Sequence, residues 1–130
     1  EINYAWMGDS RIYLIDSLKN IISQLSIDHT LYQEMVDRGE IGQNFKKNIL
    51  SRMLGNNAYS RPDGNRLPLA PGNLILVCTD GYSDLISEEK TLDTIKASGN
   101  SLDEIANALI DLAKGEGGRD NITVSLALFE

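Results

Sequence analysis

The sequence predicts an α+β fold with a mainly antiparallel sheet. Strand-like stretches are grouped at the start, helix-like stretches gather later, and one strand-like stretch closes the chain. Elements segregated in this way do not alternate as a doubly wound parallel sheet requires. Two of the helical stretches also carry a start signal, a Ser or Thr followed three residues later by Glu or Gln.

Taken in order, residues 2–7 and 11–15 flank Gly8-Asp9-Ser10 and read as a hairpin, with 21–27 as a third neighbouring antiparallel strand. Thr30 with Gln33 forms a capping box for a helix whose apolar face is Leu31, Met35 and Val36, and Gly39 can close it. A second short helix is expected over 45–54, with Phe45, Ile49, Leu50 and Met53 on one side and Gly55 as its stop. Residues 56–65 contain Pro62, Asp63 and Gly64 and read as a surface loop leading to a weak strand at 66–69. Pro71-Gly72-Asn73 turns the chain into a central apolar strand ending at Thr79, and 87–98 reads as a helix. The clearest helix follows: Ser101 and Glu104 form a capping box, Leu102, Ile105, Ala106, Leu109, Ile110 and Ala113 recur at helical spacing, and Gly115 ends it. Residues 122–129 close the chain as a strand.

A chain of 130 residues fits one domain and can bury a core. Its 12 basic and 19 acidic residues give a net charge of -7, with no basic stripe, which argues against nucleic acid as a partner. The single cysteine, Cys78, lies inside an apolar strand pattern and reads as a small buried hydrophobe in a reducing, cytoplasmic compartment. No apolar run approaches the roughly 18 residues of a membrane span, and the start lacks the plan of a signal peptide. A membrane is therefore not expected as a partner. The chain enters at Glu1 directly into a strand pattern, as a piece of a longer protein would.

Two aspartates stand where an apolar strand pattern meets a glycine-containing turn. Asp80 ends the run 74–79 and precedes Gly81, and Asp120 follows Gly117-Gly118-Arg119 and opens the last strand. Asp9, in Gly8-Asp9-Ser10-Arg11, is a third candidate. Carboxylates without a supporting cluster of His or Cys suit a hard cation such as Mg²⁺ or Mn²⁺ and not a structural zinc. Ordinary turn chemistry offers each aspartate a second explanation, since such carboxylates also accept nearby backbone N–H groups. Asp84 can cap the following helix or support the site from behind, and Asn121 can orient Asp120. His29, the sole histidine, reads as a structural hydrogen-bonding residue, and the glycines at 115–118 read as helix termination.

Four signatures occur in order: Met7-Gly8-Asp9-Ser10-Arg11, Asp28-His29-Thr30, Cys78-Thr79-Asp80-Gly81-Tyr82-Ser83-Asp84 and Gly118-Arg119-Asp120-Asn121-Ile122-Thr123-Val124. Together they resemble the later motifs of the metal-dependent PPM, or PP2C-type, serine/threonine protein phosphatases of the bacterial branch. The resemblance implies part of an α-β-β-α sandwich with its metal centre at one end of the sheets. It implies that Asp80 and Asp120 are ligands of one of two core Mn²⁺ or Mg²⁺ ions. Asp9, helped by Asp80, would hold a third, weaker ion. The implied chemistry is attack of metal-activated water on the phosphorus of phosphoserine or phosphothreonine in a protein substrate, so this segment carries no catalytic residue beyond the metal ligands.

The family's early motifs, which supply the bridging aspartate and a phosphate-binding arginine, have no match in residues 1–130, so the chain reads as a single partial domain, the C-terminal portion of a catalytic domain. Dephosphorylation in cytoplasmic signalling is then expected of the parent protein, and inactivity of this chain alone. The expected physical partner is the missing N-terminal half, or a second copy of the chain. The alternative is a non-catalytic phosphatase-like module that binds or regulates.

Overall fold

The structure is a computed structural model that describes residues 1–40, 46–56, 61–99 and 101–130. In chain order its elements are β1 (Ile2–Trp6), β2 (Arg11–Asp16), β3 (Ile21–Gln24), α1 (Leu31–Asp37), β4 (Asp63–Leu67), β5 (Asn73–Cys78), α2 (Asp80–Ser83), α3 (Glu88–Ala97), α4 (Leu102–Gly115) and β6 (Val124–Leu128). The strands form two antiparallel sheets, one of order β3-β2-β5-β6 and one in which β1 pairs with β4. The α+β reading holds.

The central strands β2 and β5 are apolar on both faces, as strands flanked on each side must be. On one face Tyr13, Ile15, Leu74, Leu76 and Cys78 meet Ile95, Ile105, Leu109 and Ala113 from α3 and α4. Leu76 and Leu109 have no exposed surface at all. Tyr82 is buried in the same core and its hydroxyl hydrogen-bonds Thr91 Oγ1 at 2.9 Å. Burial pushes the Cys78 thiol up to about 12, so it behaves as a small apolar side chain, as its strand setting implies. The opposite face carries buried Ile12 and Ile75. Beside Ile75, a crevice of about 220 Å³ is lined by Ile2 and Leu69 together with Ala127 and Phe129.

The helix starts follow the expected chemistry. Thr30, Ser87 and Ser101 each accept the backbone N–H three residues on, from Gln33, Lys90 and Glu104. The helix α4 runs through Gly115, one step past the expected stop, and the left-handed turn falls instead at Gly117 and Gly118, with φ of 122° and 50°.

Three expectations are corrected. First, β1 and β2 are not a hairpin: β2 has both edges taken by β3 and β5, so β1 pairs with β4 and the Gly8-Asp9-Ser10 link carries the chain from one sheet to the other. The weak strand foreseen at 66–69 accordingly begins earlier, at Asp63, because its register is set by β1. Second, β3 ends at Gln24, since Ser26 supplies its hydroxyl oxygen to the Ile12 N–H in place of a ladder bond. Third, residues 46–54 hold no helix; Phe45 lies outside the described residues. The backbone there serves another purpose, with Leu31 N–H donating to Ile49 O, Ser51 N–H donating to His29 O, and Thr30 bridging Leu50.

Candidate metal centre

Three hydrogen bonds join Thr79, at the end of β5, to the chain entering β6. Thr79 N–H donates to Thr123 O at 3.1 Å, its hydroxyl donates to Asn121 O at 3.2 Å, and Thr123 N–H donates to the Thr79 hydroxyl at 3.1 Å. This spends the side chain that would otherwise cap α2, and Thr79 makes no cap bond there. Gly81 completes the approach, since a Cβ on it would collide with the Asn121 carbonyl oxygen. Asp80 and Asp120 are thereby drawn to one cleft of about 270 Å³, which Asn48, Asp84 and Arg119 also line.

Each of these aspartates is steadied through one oxygen. Gly81 N–H donates to Asp80 Oδ1 at 2.9 Å and Asn121 N–H donates to Asp120 Oδ1 at 2.6 Å. Among the described residues no protein hydrogen bond is made to the second oxygen of either carboxylate, which stays available to a cation.

An adjoining cavity of about 130 Å³ is lined by Asp9 together with Asp80 and Asp84, which it shares with the first. Burial first, and the Asp80 charge second, push the carboxyls of Asp9 and Asp84 above their ordinary value. Asp84 also ends α2, its N–H donating to Asp80 O at 2.9 Å. Arg11, free in sequence terms to pair with Asp9, is held instead by Asp28 through Nε at 3.0 Å and through NH2 at 2.7 Å. Lys47 stands on the wall of this cavity and lies over the Tyr32 ring.

Asp80 is thus common to both cavities, Asp120 lines only the first and Asp9 only the second. Among the described residues no three His, Cys, Asp or Glu side chains stand close enough to enclose an ion. The chain offers an open, oxygen-only and incomplete donor set. That chemistry fits Mg²⁺ or Mn²⁺, which keep several waters, better than a zinc cage. Sequence reasoning missed the Arg11–Asp28 pair, the Thr79 lock and the cations Lys47 and Arg119, because each depends on contacts between distant segments.

No family model matches the chain. The serine/threonine phosphatase stp of Listeria welshimeri is 37% identical over 131 residues, which cover 97% of this chain and 51% of that protein. A putative protein phosphatase 2C-type of Streptococcus pyogenes is 36% identical over 95% of this chain and 51% of its own length. The solved serine/threonine phosphatase of S. agalactiae superposes with a TM-score of 0.90 at 30% identity, covering 98% of this chain and 54% of its own. The chain is homologous to bacterial PP2C-type serine/threonine phosphatases.

The chain spans about half the length of the curated relatives it matches and corresponds to their C-terminal portion. The catalytic domain of the phosphatase PstP, solved in complex with two manganese ions, also shares its fold, with a TM-score of 0.79 at 31% identity over 95% of this chain and 51% of its own. Among the described residues no helix is long and apolar enough to cross a membrane.

Proposed function

We propose that this chain is the C-terminal portion of a cytoplasmic protein phosphatase catalytic domain that hydrolyses phosphoserine and phosphothreonine in signalling proteins with Mn²⁺ or Mg²⁺. The observation that carries the reading is the placement of Asp80 and Asp120 on one cleft by the Thr79 lock, in a chain homologous to PP2C-type phosphatases. In this reading Asp80 and Asp120 hold one of two core ions, Asp9 with Asp80 holds a weaker third, and Asp84 and Asn121 support them. A divalent cation bound there lowers the pKa of a coordinated water and offsets charge on the phosphoryl oxygens, so no covalent nucleophile is needed.

The chain's own groups have distinct parts. Gly81 N–H and Asn121 N–H fix the carboxylates, while Arg119 on the cleft wall brings positive charge to a site whose carboxylates would otherwise repel a phosphoryl group. The incomplete donor set supports inactivity of the isolated chain and a need for the other half of the domain, or for a second copy. Phosphate release from a phosphothreonine peptide with Mn²⁺ tests this. The full-length protein should turn over, Asp80→Asn and Asp120→Asn should each cost about 100-fold or more, and the isolated chain should be inactive. Turnover by the isolated chain, or full activity in both variants, would refute the assignment.

A further inference from the structure

We propose that His29 is a positioning residue for Asp9: its imidazole clamps the Gly8 backbone and so holds Asp9 on the acidic cavity it shares with Asp80. The proposal rests on the reading of Asp9 as a cation ligand. Both polar groups of Gly8 go to this one residue. Gly8 N–H donates to His29 Nδ1 at 3.2 Å, and His29 N–H donates to Gly8 O at 2.9 Å.

The contacts assign the tautomer. A backbone N–H can only donate, so Nδ1 must present its lone pair, and in a neutral ring the proton then sits on Nε2. Nε2 accordingly donates to Asp63 Oδ2 at 3.0 Å, while Asp63 Oδ1 accepts from Arg52 at 2.9 Å. The ring is only 5% exposed and stacks on Trp6, whose own Nε1–H is tied to Ile27 O at 2.8 Å. It has no room to turn away.

What the clamp holds is the crossing between the two sheets. Gly8 has φ of 108°, a conformation that L side chains rarely adopt, and the next residue is Asp9. No strand ladder fixes this link, since β1 ends at Trp6 and β2 begins at Arg11. Ser51 N–H also donates to His29 O, so the same residue ties the returning 46–56 segment to the crossing. Asp28, next to it, pairs with Arg11 on the far side of Asp9. The Asp-His-Thr signature therefore grips the Gly-Asp-Ser-Arg link from both ends.

The test uses the full-length protein and exploits the different reach of two amides. An Asn carbonyl can replace Nδ1 as the acceptor for Gly8, whereas a Gln amide can replace Nε2–H as the donor to Asp63 but leaves the Gly8 N–H without its acceptor. Mn²⁺ titration by calorimetry and hydrogen exchange of the Gly8 amide are measured for the wild type, His29→Asn, His29→Gln, Asp9→Asn and the His29→Gln/Asp9→Asn double variant, and the His29 ring ¹⁵N shifts for the wild type. We expect unprotonated Nδ1 in the wild type, Gly8 protection and Mn²⁺ affinity retained in His29→Asn, and about a 10-fold loss at the weaker site in His29→Gln. His29→Gln should add nothing once Asp9 is Asn. A protonated Nδ1, or equal Mn²⁺ affinity and equal Gly8 exchange in the Asn and Gln variants, would overturn the clamp. If Asp9→Asn leaves Mn²⁺ binding intact, the ligand reading of Asp9 fails and the positioning role falls with it. If Asp9→Asn weakens binding and His29→Gln does not, the clamp alone fails.

Discussion

The helix-covered face of the four-stranded sheet and the acidic rim at its end are built from opposite materials. Under α3 and α4, Leu76, Ile95, Ile105 and Leu109 exclude water completely or nearly so, and no charged side chain belongs to that cluster. At the rim, Asp9, Asp28, Asp80 and Asp84 line one small cavity, and among the described residues only Asp28 is neutralised by an arginine pair. Burial and mutual repulsion make the ionised forms of Asp9 and Asp84 unfavourable in the folded chain. Stability is therefore drawn from the apolar layer, and the rim is held in place at some cost by short polar locks. Carboxylates kept together against their repulsion are what a divalent cation would relieve.

Breaking the apolar layer should give the largest effect on stability. Leu109→Ala removes a side chain with no exposed surface and should cost about 3 kcal/mol in chemical unfolding. Where the variant remains folded, its Mn²⁺ affinity should stay near wild type. A selective loss of Mn²⁺ binding at unchanged stability would show that the two regions are not separable.

Gly81→Ala acts on the joint between them. The new Cβ collides with the Asn121 carbonyl, so α2 and the 120–123 segment must move apart and the Thr79 lock must stretch. We expect a loss of about 1–3 kcal/mol in stability together with weaker Mn²⁺ binding, because Asp80 and Asp120 separate. Calorimetric titration beside urea unfolding measures both. Unchanged Mn²⁺ affinity would mean that the lock does not set the distance between these carboxylates.

The smallest expected effect sharpens the electrostatic half of the comparison. The folded-state pKa of Asp84 is raised, so its ionisation costs stability: the penalty is absent below the ordinary value of 3.8, and grows as pH rises through the folded pKa. Asp84→Asn removes it, and without metal it should slightly raise Tm near neutral pH and leave Tm unchanged in acid. With Mn²⁺ present the gain should shrink. Thermal scans at two pH values, with and without Mn²⁺, check this, and a lower Tm for Asp84→Asn at neutral pH without metal would contradict a repulsive rim.

The sequence by itself determined the elements whose signals are local. Ser101 with its helical run of apolar residues, Thr30 as a cap, and the apolar run into Asp80 all depend on neighbours within a few positions, and each appears as expected. It also marked Asp80, Asp120 and Asp9 by their strand-turn borders. Only the tertiary structure decided that β1 leaves β2 for β4, because that choice depends on β3 and β5 having already taken both edges of β2. The apolar positions at 49–53 suggested a helix, yet the backbone of residues 49 and 51 is committed to residues 29 and 31, a partnership no local pattern records. The same holds at the rim: Thr79 meets Asn121 and Thr123, and Gly8 meets His29, across separations that a sequence pattern of a few residues cannot span. Local hydrogen bonding and periodicity are written along the chain, whereas edge occupancy and convergence of charge exist only once the sheets have closed.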